Sequence, residues 1–182
     1  MENLGNSGKS PKFDPDRIIE ILHEYDVVFV LVGGLAARWH GAQRATGDVD
    51  CIPEPGVENL QRLAQAMKRL NARLRVAGLT DEEAKQLPLK LDAHTLMSFG
   101  GSTWTTDSGP LDILVELRDR SGRAVRFDEL ERRAVIVRVG SVAVRLAALH
   151  DIVEAKSFAG RAKDLEALPE LRRLLQHYDR DE

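Results

Sequence analysis

The segment LVGGLAARWHGAQRATGDVDCI, from Leu31 to Ile52, constrains this chain more than any other stretch. An apolar run, VVFVLV, ends in Gly33-Gly34, and after thirteen intervening residues a second apolar run holds Asp48 and Asp50, separated by one residue. The first run is β-branched and continuously apolar, which predicts a buried strand. The glycines then open a helix through LAARWHGA. DVDCIP reads as a second strand, stopped by Pro53. Side chains alternate along a strand, so Asp48 and Asp50 share a face. Two carboxylates side by side on a mostly buried strand repel and lose hydration unless a cation neutralises them, so a divalent metal is expected there. The glycine pair has two readings. It turns the chain and does nothing else, or its free N–H groups and the positive end of the helix dipole cradle a phosphate. It fits neither the GxGxxG nor the GxxxxGK[ST] nucleotide-binding pattern.

A third carboxylate, Asp112, sits in the apolar run PLDILVEL, which reads as a strand from Leu111 to Leu117. Taken alone, it is either a turn residue following Pro110 or a companion to the first pair. Three carboxylates on neighbouring strands can bind two magnesium ions about 4 Å apart, a geometry suited to phosphoryl or nucleotidyl transfer.

The remaining pattern predicts a mixed α+β fold, a small mixed β-sheet flanked by helices. FDPDRIIEILHEYD is a helix with Asp14 as N-cap and Pro15 in its first turn. PGVENLQRLAQAMKRLNARL carries Leu60, Leu63, Ala64, Met67 and Leu70 at helical spacing. TDEEAKQL starts with a capping box of Thr80 and Glu83. STWTT and LDILVEL around DSGP form one hairpin, AVIVRVGSVAVRL around Gly140-Ser141 a second, and FDELERR between them a short helix. AALHDIVEAKSF and DLEALPELRRLLQHY make a helical tail. The expected organisation is a flexible tail over residues 1–12 and one domain over 13–182, with its core in 13–145 and C-terminal helices in 146–182.

Bulk properties narrow the class. A length of 182 residues with 43% hydrophobic content is enough for one core. The net charge of -3 gives no general attraction to polyanions, so a nucleic-acid contact needs a local patch. Such a patch lies between Gln61 and Val76, where Arg62, Lys68, Arg69, Arg73 and Arg75 meet no acid. It reads equally as a solvated helix face. Cys51 is the sole cysteine, excluding an internal disulfide and fitting a reducing compartment. The longest apolar run is too short to span a bilayer and the polar N-terminus is not of signal-peptide type, so a soluble, cytoplasmic protein without membrane contact is expected. His40, His94 and His150 have no ligand spacing with one another or with Cys51. Trp39 and Trp104 read as packing residues, with base stacking as the alternative.

LVGG, then DVD, then LDIL resembles the minimal nucleotidyltransferase fold of the DNA polymerase beta superfamily. Within it, GGLAARWHGAQRATGDVD is most similar to the AbiEii/MenT-type nucleotidyltransferase toxins of bacterial toxin-antitoxin systems. Their Arg-x-Thr/Ser-x-Asp-h-Asp block corresponds here to Arg44, Thr46, Asp48 and Asp50. Their downstream lysine and basic-Asp element correspond to Lys156, Arg161, Lys163 and Asp164. The likeness runs from about residue 27 to 170 and departs at Leu35, where hydroxyl residues are common in that family.

The resemblance implies a magnesium-dependent enzyme that transfers a nucleoside monophosphate from a nucleoside triphosphate to an acceptor hydroxyl, releasing pyrophosphate. It further implies that the acceptor is the 3′ end of tRNA and that a cognate antitoxin is a partner. Asp48, Asp50 and Asp112 would hold one or two magnesium ions, and Asp112 would also accept the proton of the attacking hydroxyl. Gly33 and Gly34 would cradle the β,γ-phosphates, Lys156 and Arg44 would contact the triphosphate, and Asp164 would orient Lys156 or Arg44. Without the resemblance, Arg44 reads as a loop arginine, and Lys156 with Asp164 as a surface pair contributing about 0 to 1 kcal/mol. Two other functions fit the same residues: an aminoglycoside-type antibiotic nucleotidyltransferase, and a non-catalytic member that binds nucleotide or a partner.

Overall fold

Helix α1 (Pro15–Glu24) starts where the Asp14 side chain accepts the Arg17 N–H at 3.1 Å, and it buries Ile18, Ile19, Ile21 and Leu22. The computed structural model describes residues 12–181, so the tail expected over residues 1–12 lies, except for Lys12, outside the described residues. Strand β1 (Phe29–Val32) is buried at all four positions, as its continuous apolar run predicts. It leads directly into α2 (Gly33–Trp39) and is followed by β2 (Val49–Pro53) and α3 (Val57–Arg69).

Three successive helices end in the same way. Asp26, Gly41 and Asn71 take left-handed backbone conformations, and the residue after each returns an N–H to the helix: Val27 to Leu22, Ala42 to Ala37 and Ala72 to Met67. This closure satisfies the last helical carbonyls. It also corrects the helix expected to continue to Leu74. Asn71 stops α3 at Arg69, and Arg73–Leu74 becomes the short strand β3. The basic residues between Gln61 and Val76 therefore do not share one helix face. Arg62 donates to the Asp26 carbonyl and to Asn59, and Arg73 to the Asn71 carbonyl and Asp107.

After α4 (Asp81–Lys85), which begins with the expected Thr80–Glu83 capping box, the chain forms α5 (Ala93–Ser98), capped by Asp92. Then come β4 (Ser102–Thr106) and β5 (Gly109–Ile113), paired as the expected hairpin. The strand predicted over Leu111–Leu117 is divided. Its first half is β5, and its second is β6 (Glu116–Arg118), paired with β7 (Ala124–Arg126) in a separate two-stranded sheet. β2 and β5 run parallel, and the last bond between them is Leu114 N–H to the Cys51 carbonyl. Pro53 has no N–H with which to continue the ladder. Helix α6 (Phe127–Arg133), the hairpin β8 (Val135–Val139) and β9 (Val142–Leu146), α7 (Leu149–Ala159) and α8 (Ala162–Asp181) complete the chain.

The main sheet has seven strands in the order β3-β4-β5-β2-β1-β9-β8. The β1/β9 and β2/β5 pairs are parallel and the others antiparallel, so the sheet is mixed. One hydrophobic cluster joins it to the helices. It includes Trp104, 1% exposed, whose indole N–H meets Ser102, so this ring packs and does not stack on a base. His40, also buried, bonds the Ala147 carbonyl through Nε2 at 2.9 Å, a structural contact between α2 and the end of β9. Among the described residues no helix is long and apolar enough to cross a membrane.

Candidate active site

The sheet register assembles the acids. β2 lies between β1 and β5, and Asp50 is opposed by Val32 on one side and Asp112 on the other. Asp48 immediately precedes β2, and carboxylate oxygens of Asp48, Asp50 and Asp112 all lie within 4.8 Å of one another. Among the described residues this is the sole such group of potential metal-binding side chains. The β1-to-α2 turn comes to the same place, because Gly33 follows the residue that opposes Asp50. Gly33 takes φ 68°, a conformation that L side chains rarely adopt, and a methyl group there would overlap the Asp50 carboxylate. At Gly34 an added Cβ would stand 2.5 Å from Thr46 Oγ1. The thirteen-residue excursion therefore returns its end to its beginning, and both glycines are required by that close approach.

Thr46 donates its hydroxyl to Asp48 at 2.8 Å, which fixes the acid that stands just ahead of β2. The N–H of Gly34 donates to Asp50. Leu35, the departure from the toxin pattern, is 4% exposed and belongs to the core.

The three acids perturb one another. Burial first, and then the charges of Asp48 and Asp112, push the Asp50 carboxyl up to about 7, against the opposing pull of the Gly34 N–H and Lys156. Asp112 is also raised, mainly by burial and then by Asp48, while a hydrogen bond from Thr103 and the charges of Arg75 and Lys163 act the other way. One Asp112 oxygen, Oδ1, is buried and accepts no hydrogen bond from any described residue. Such an orphan is costly unless a cation or donor occupies the space in front of it. Neighbouring Cys51 is fully buried, and that burial pushes its thiol up and out of nucleophilic use.

A cationic arm faces the acids. Gly160 ends α7 in a left-handed cap, and the chain turns back into α8. Lys156 and Arg161 thereby converge on Asp164, with Lys156 Nζ at 3.0 Å and Arg161 Nε at 2.6 Å. Asp164 is fully buried; burial raises its pKa, but hydrogen bonds from Arg161 and Lys156 outweigh this and hold it below the ordinary carboxylate value. Arg44 does not join this group. Its guanidinium pairs with Glu166 at 2.8 Å, and both side chains are exposed.

All the residues singled out in the sequence, Gly33, Gly34, Arg44, Thr46, Asp48, Asp50, Asp112, Lys156, Arg161, Lys163 and Asp164, border one cleft of about 420 Å³. Leu114, Leu117 and Phe158 give it an apolar wall, which with the polar end matches the usual make-up of a small-molecule site. Two residues outside the sequence motifs also reach the site: Thr103, which hydrogen-bonds Asp112, and Glu116, which borders the cleft. The alternation of STWTT did carry a signal for Thr103, since a buried Trp104 leaves its neighbours on the other face. Glu116 lay in a segment read as ordinary strand.

No protein-family model matches the sequence, and no curated protein sequence matches it. Solved structures do. The lincosamide antibiotic adenylyltransferase LnuA, bound to lincomycin, superposes with a TM-score of 0.58 at 11% identity, covering 90% of this chain and 99% of that one. A proposed nucleotidyltransferase from Thermotoga maritima, TM1012, gives 0.51 at 14%, covering 92% and 97%. ANT(2″)-Ia in complex with adenylyl-2″-tobramycin gives 0.50 at 13%, covering 90% and 94%. The fold of this chain is therefore the nucleotidyltransferase fold, with an acidic triad at the place where its sheet and glycine turn meet.

Proposed function

We propose that the protein is a metal-dependent nucleotidyltransferase that moves a nucleoside monophosphate from a nucleoside triphosphate to an acceptor hydroxyl. The acceptor in this reading is the 3′ end of tRNA, and the protein is the cytoplasmic toxin of a toxin-antitoxin pair restrained by its cognate antitoxin. The observation that carries the reading is the convergence of three carboxylates, the Gly33-Gly34 turn and the Lys156–Asp164–Arg161 group on one cleft.

The donor set fits magnesium: all three side chains offer hard oxygens, and Asp112 Oδ1 has no hydrogen-bond partner among the described residues. Asp48, Asp50 and Asp112 would hold one or two ions, which when bound supply positive charge to the reacting phosphate and to the departing pyrophosphate. The chain does the rest. Gly33 and Gly34 let the backbone approach the β,γ-phosphates, Lys156 and Arg161 balance their charge, and Asp164 fixes both cations. Arg44 leaves Glu166 to clamp the phosphates. The acceptor oxygen attacks the α-phosphorus in line, a new P–O bond forms, and the bond to the bridging oxygen of pyrophosphate breaks. The hydroxyl proton passes to Asp112.

The overlap with LnuA and ANT(2″)-Ia supports a second reading, an antibiotic nucleotidyltransferase. Purified protein, magnesium and each labelled triphosphate, offered bulk tRNA and a panel of lincosamides and aminoglycosides, separate the two. Label on tRNA, abolished by Asp50→Ala, is expected. Label on an antibiotic alone makes the second reading correct. Nucleotide binding with no labelled product makes the protein a non-catalytic binder.

A further inference from the structure

The sheet register extends the triad by two residues, Thr103 and Arg75. Asp50 is opposed by Asp112, Asp112 by Thr103, and the N–H of Arg75 donates to the Thr103 carbonyl at 2.8 Å, one position past the Leu74–Trp104 pair. Opposed residues project from the same face of a sheet. Asp50, Asp112, Thr103 and Arg75 thus form a lateral row. Gly33 and Gly34 lie at one end of that row, beyond Asp50, and Arg75 at the other, two strands or about 10 Å beyond Asp112.

The two ends differ in chemistry. At the glycine end the cations Lys156 and Arg161 are tied to Asp164. Arg75 is exposed, and its guanidinium makes no hydrogen bond or ion pair with any described residue, unlike Arg62 and Arg73 of the same segment. Its charge nevertheless reaches Asp112, as does that of Lys163, which borders the cleft from α8 and is likewise exposed. If the triphosphate occupies the glycine end, the attacking hydroxyl enters from the side of Asp112, between these two cations. A polycationic acceptor is repelled there. An acceptor with a phosphate next to its hydroxyl is attracted.

We infer that Arg75, seconded by Lys163, binds the last phosphodiester of the acceptor strand and so selects a nucleic-acid 3′ end over a cationic small molecule. This rests on the nucleotidyltransferase reading and names the subsite that makes its acceptor a polynucleotide. The test uses two short RNA acceptors of one sequence, identical except that the final linkage is a phosphodiester in one and an uncharged methylphosphonate in the other. For the wild type, the neutral linkage raises the acceptor KM about tenfold, the effect of one charge-assisted contact. For Arg75→Gln, the acceptor KM with the ordinary strand rises by a similar factor and the two strands become nearly equivalent, with only the small difference that Lys163 retains. Titration of the triphosphate without acceptor shows the same Kd in both proteins. An Arg75→Gln enzyme that still separates the two strands tenfold overturns the assignment, as does a wild type that treats them alike. A wild type that labels neither strand but labels a small molecule overturns the tRNA reading itself, and the subsite with it.

Discussion

Replacing Asp50 by asparagine should make the metal-free protein more stable, and more so as pH rises. In the unfolded chain an aspartate loses its proton near 3.8, whereas in the folded protein Asp50 keeps it up to about 7. The folded state binds this proton more tightly, so its stability falls as pH climbs through that window and levels off above about pH 8. At 1.36 kcal/mol per pH unit the full interval corresponds to about 4 kcal/mol, of which about 2.5 kcal/mol develops between pH 5 and pH 8. Asparagine has a similar shape and no such titration. Urea unfolding in EDTA at unit pH steps from 5 to 8 should therefore show Asp50→Asn gaining on the wild type by about 2.5 kcal/mol across the series, or about 5–10 °C in Tm for a domain of this size. Magnesium at pH 8 should stabilise the wild type and leave the variant nearly unchanged, because the ion relieves the same repulsion that the substitution removes. A stability difference that does not vary with pH would refute the picture of three crowded, unneutralised acids.

Two further substitutions test the supporting geometry. Gly33→Ala should lose about 1–3 kcal/mol from the left-handed backbone alone, and the overlap with Asp50 should abolish labelling even at temperatures where circular dichroism reports a folded protein. Asp164→Asn should weaken triphosphate binding in isothermal titration, and in a Lys156→Ala, Arg161→Ala background it should add little, since Asp164 reaches the phosphates only through those two cations. An equal loss in both backgrounds would mean that Asp164 acts by another route.

Much of this site was legible in the sequence because its parts obey short-range rules. The period of two along DVD placed both acids near one spot, and the end of an apolar run in glycines placed a turn at the mouth of β1. The arm from Lys156 to Asp164 was legible only through the family resemblance; by itself it reads as a surface pair, and it is the left-handed cap at Gly160 that turns α7 back into α8 and folds the arm onto the cleft. Boundaries set by a single backbone conformation were not. Asn71 ends α3 by taking φ 51°, which nothing in the helical spacing of its leucines announced. Pro53 marks the end of its own strand in the sequence, but it also ends the neighbouring one: by withholding an N–H from the parallel ladder it divides Leu111–Leu117 into two strands of different sheets.

Lateral position is what a linear pattern hides. Thr103 and Arg75 flank Asp112 only because β4 and β3 are added, in that order, outside β5, and strand order is fixed by the whole packing of helices against the sheet and not by any local signal. The same fact explains why a basic run of five residues was ambiguous as a patch. The turn at Asn71 engages Arg73 with Asp107, leaves Lys68 and Arg69 exposed at the end of α3, and sends Arg75 alone to the row that contains Asp112. Charge density along the sequence would have assigned acceptor binding to the run as a whole. In the proposed subsite it falls to Arg75 within this run, so neutralising Lys68 and Arg69 together should change the acceptor KM less than neutralising Arg75 alone.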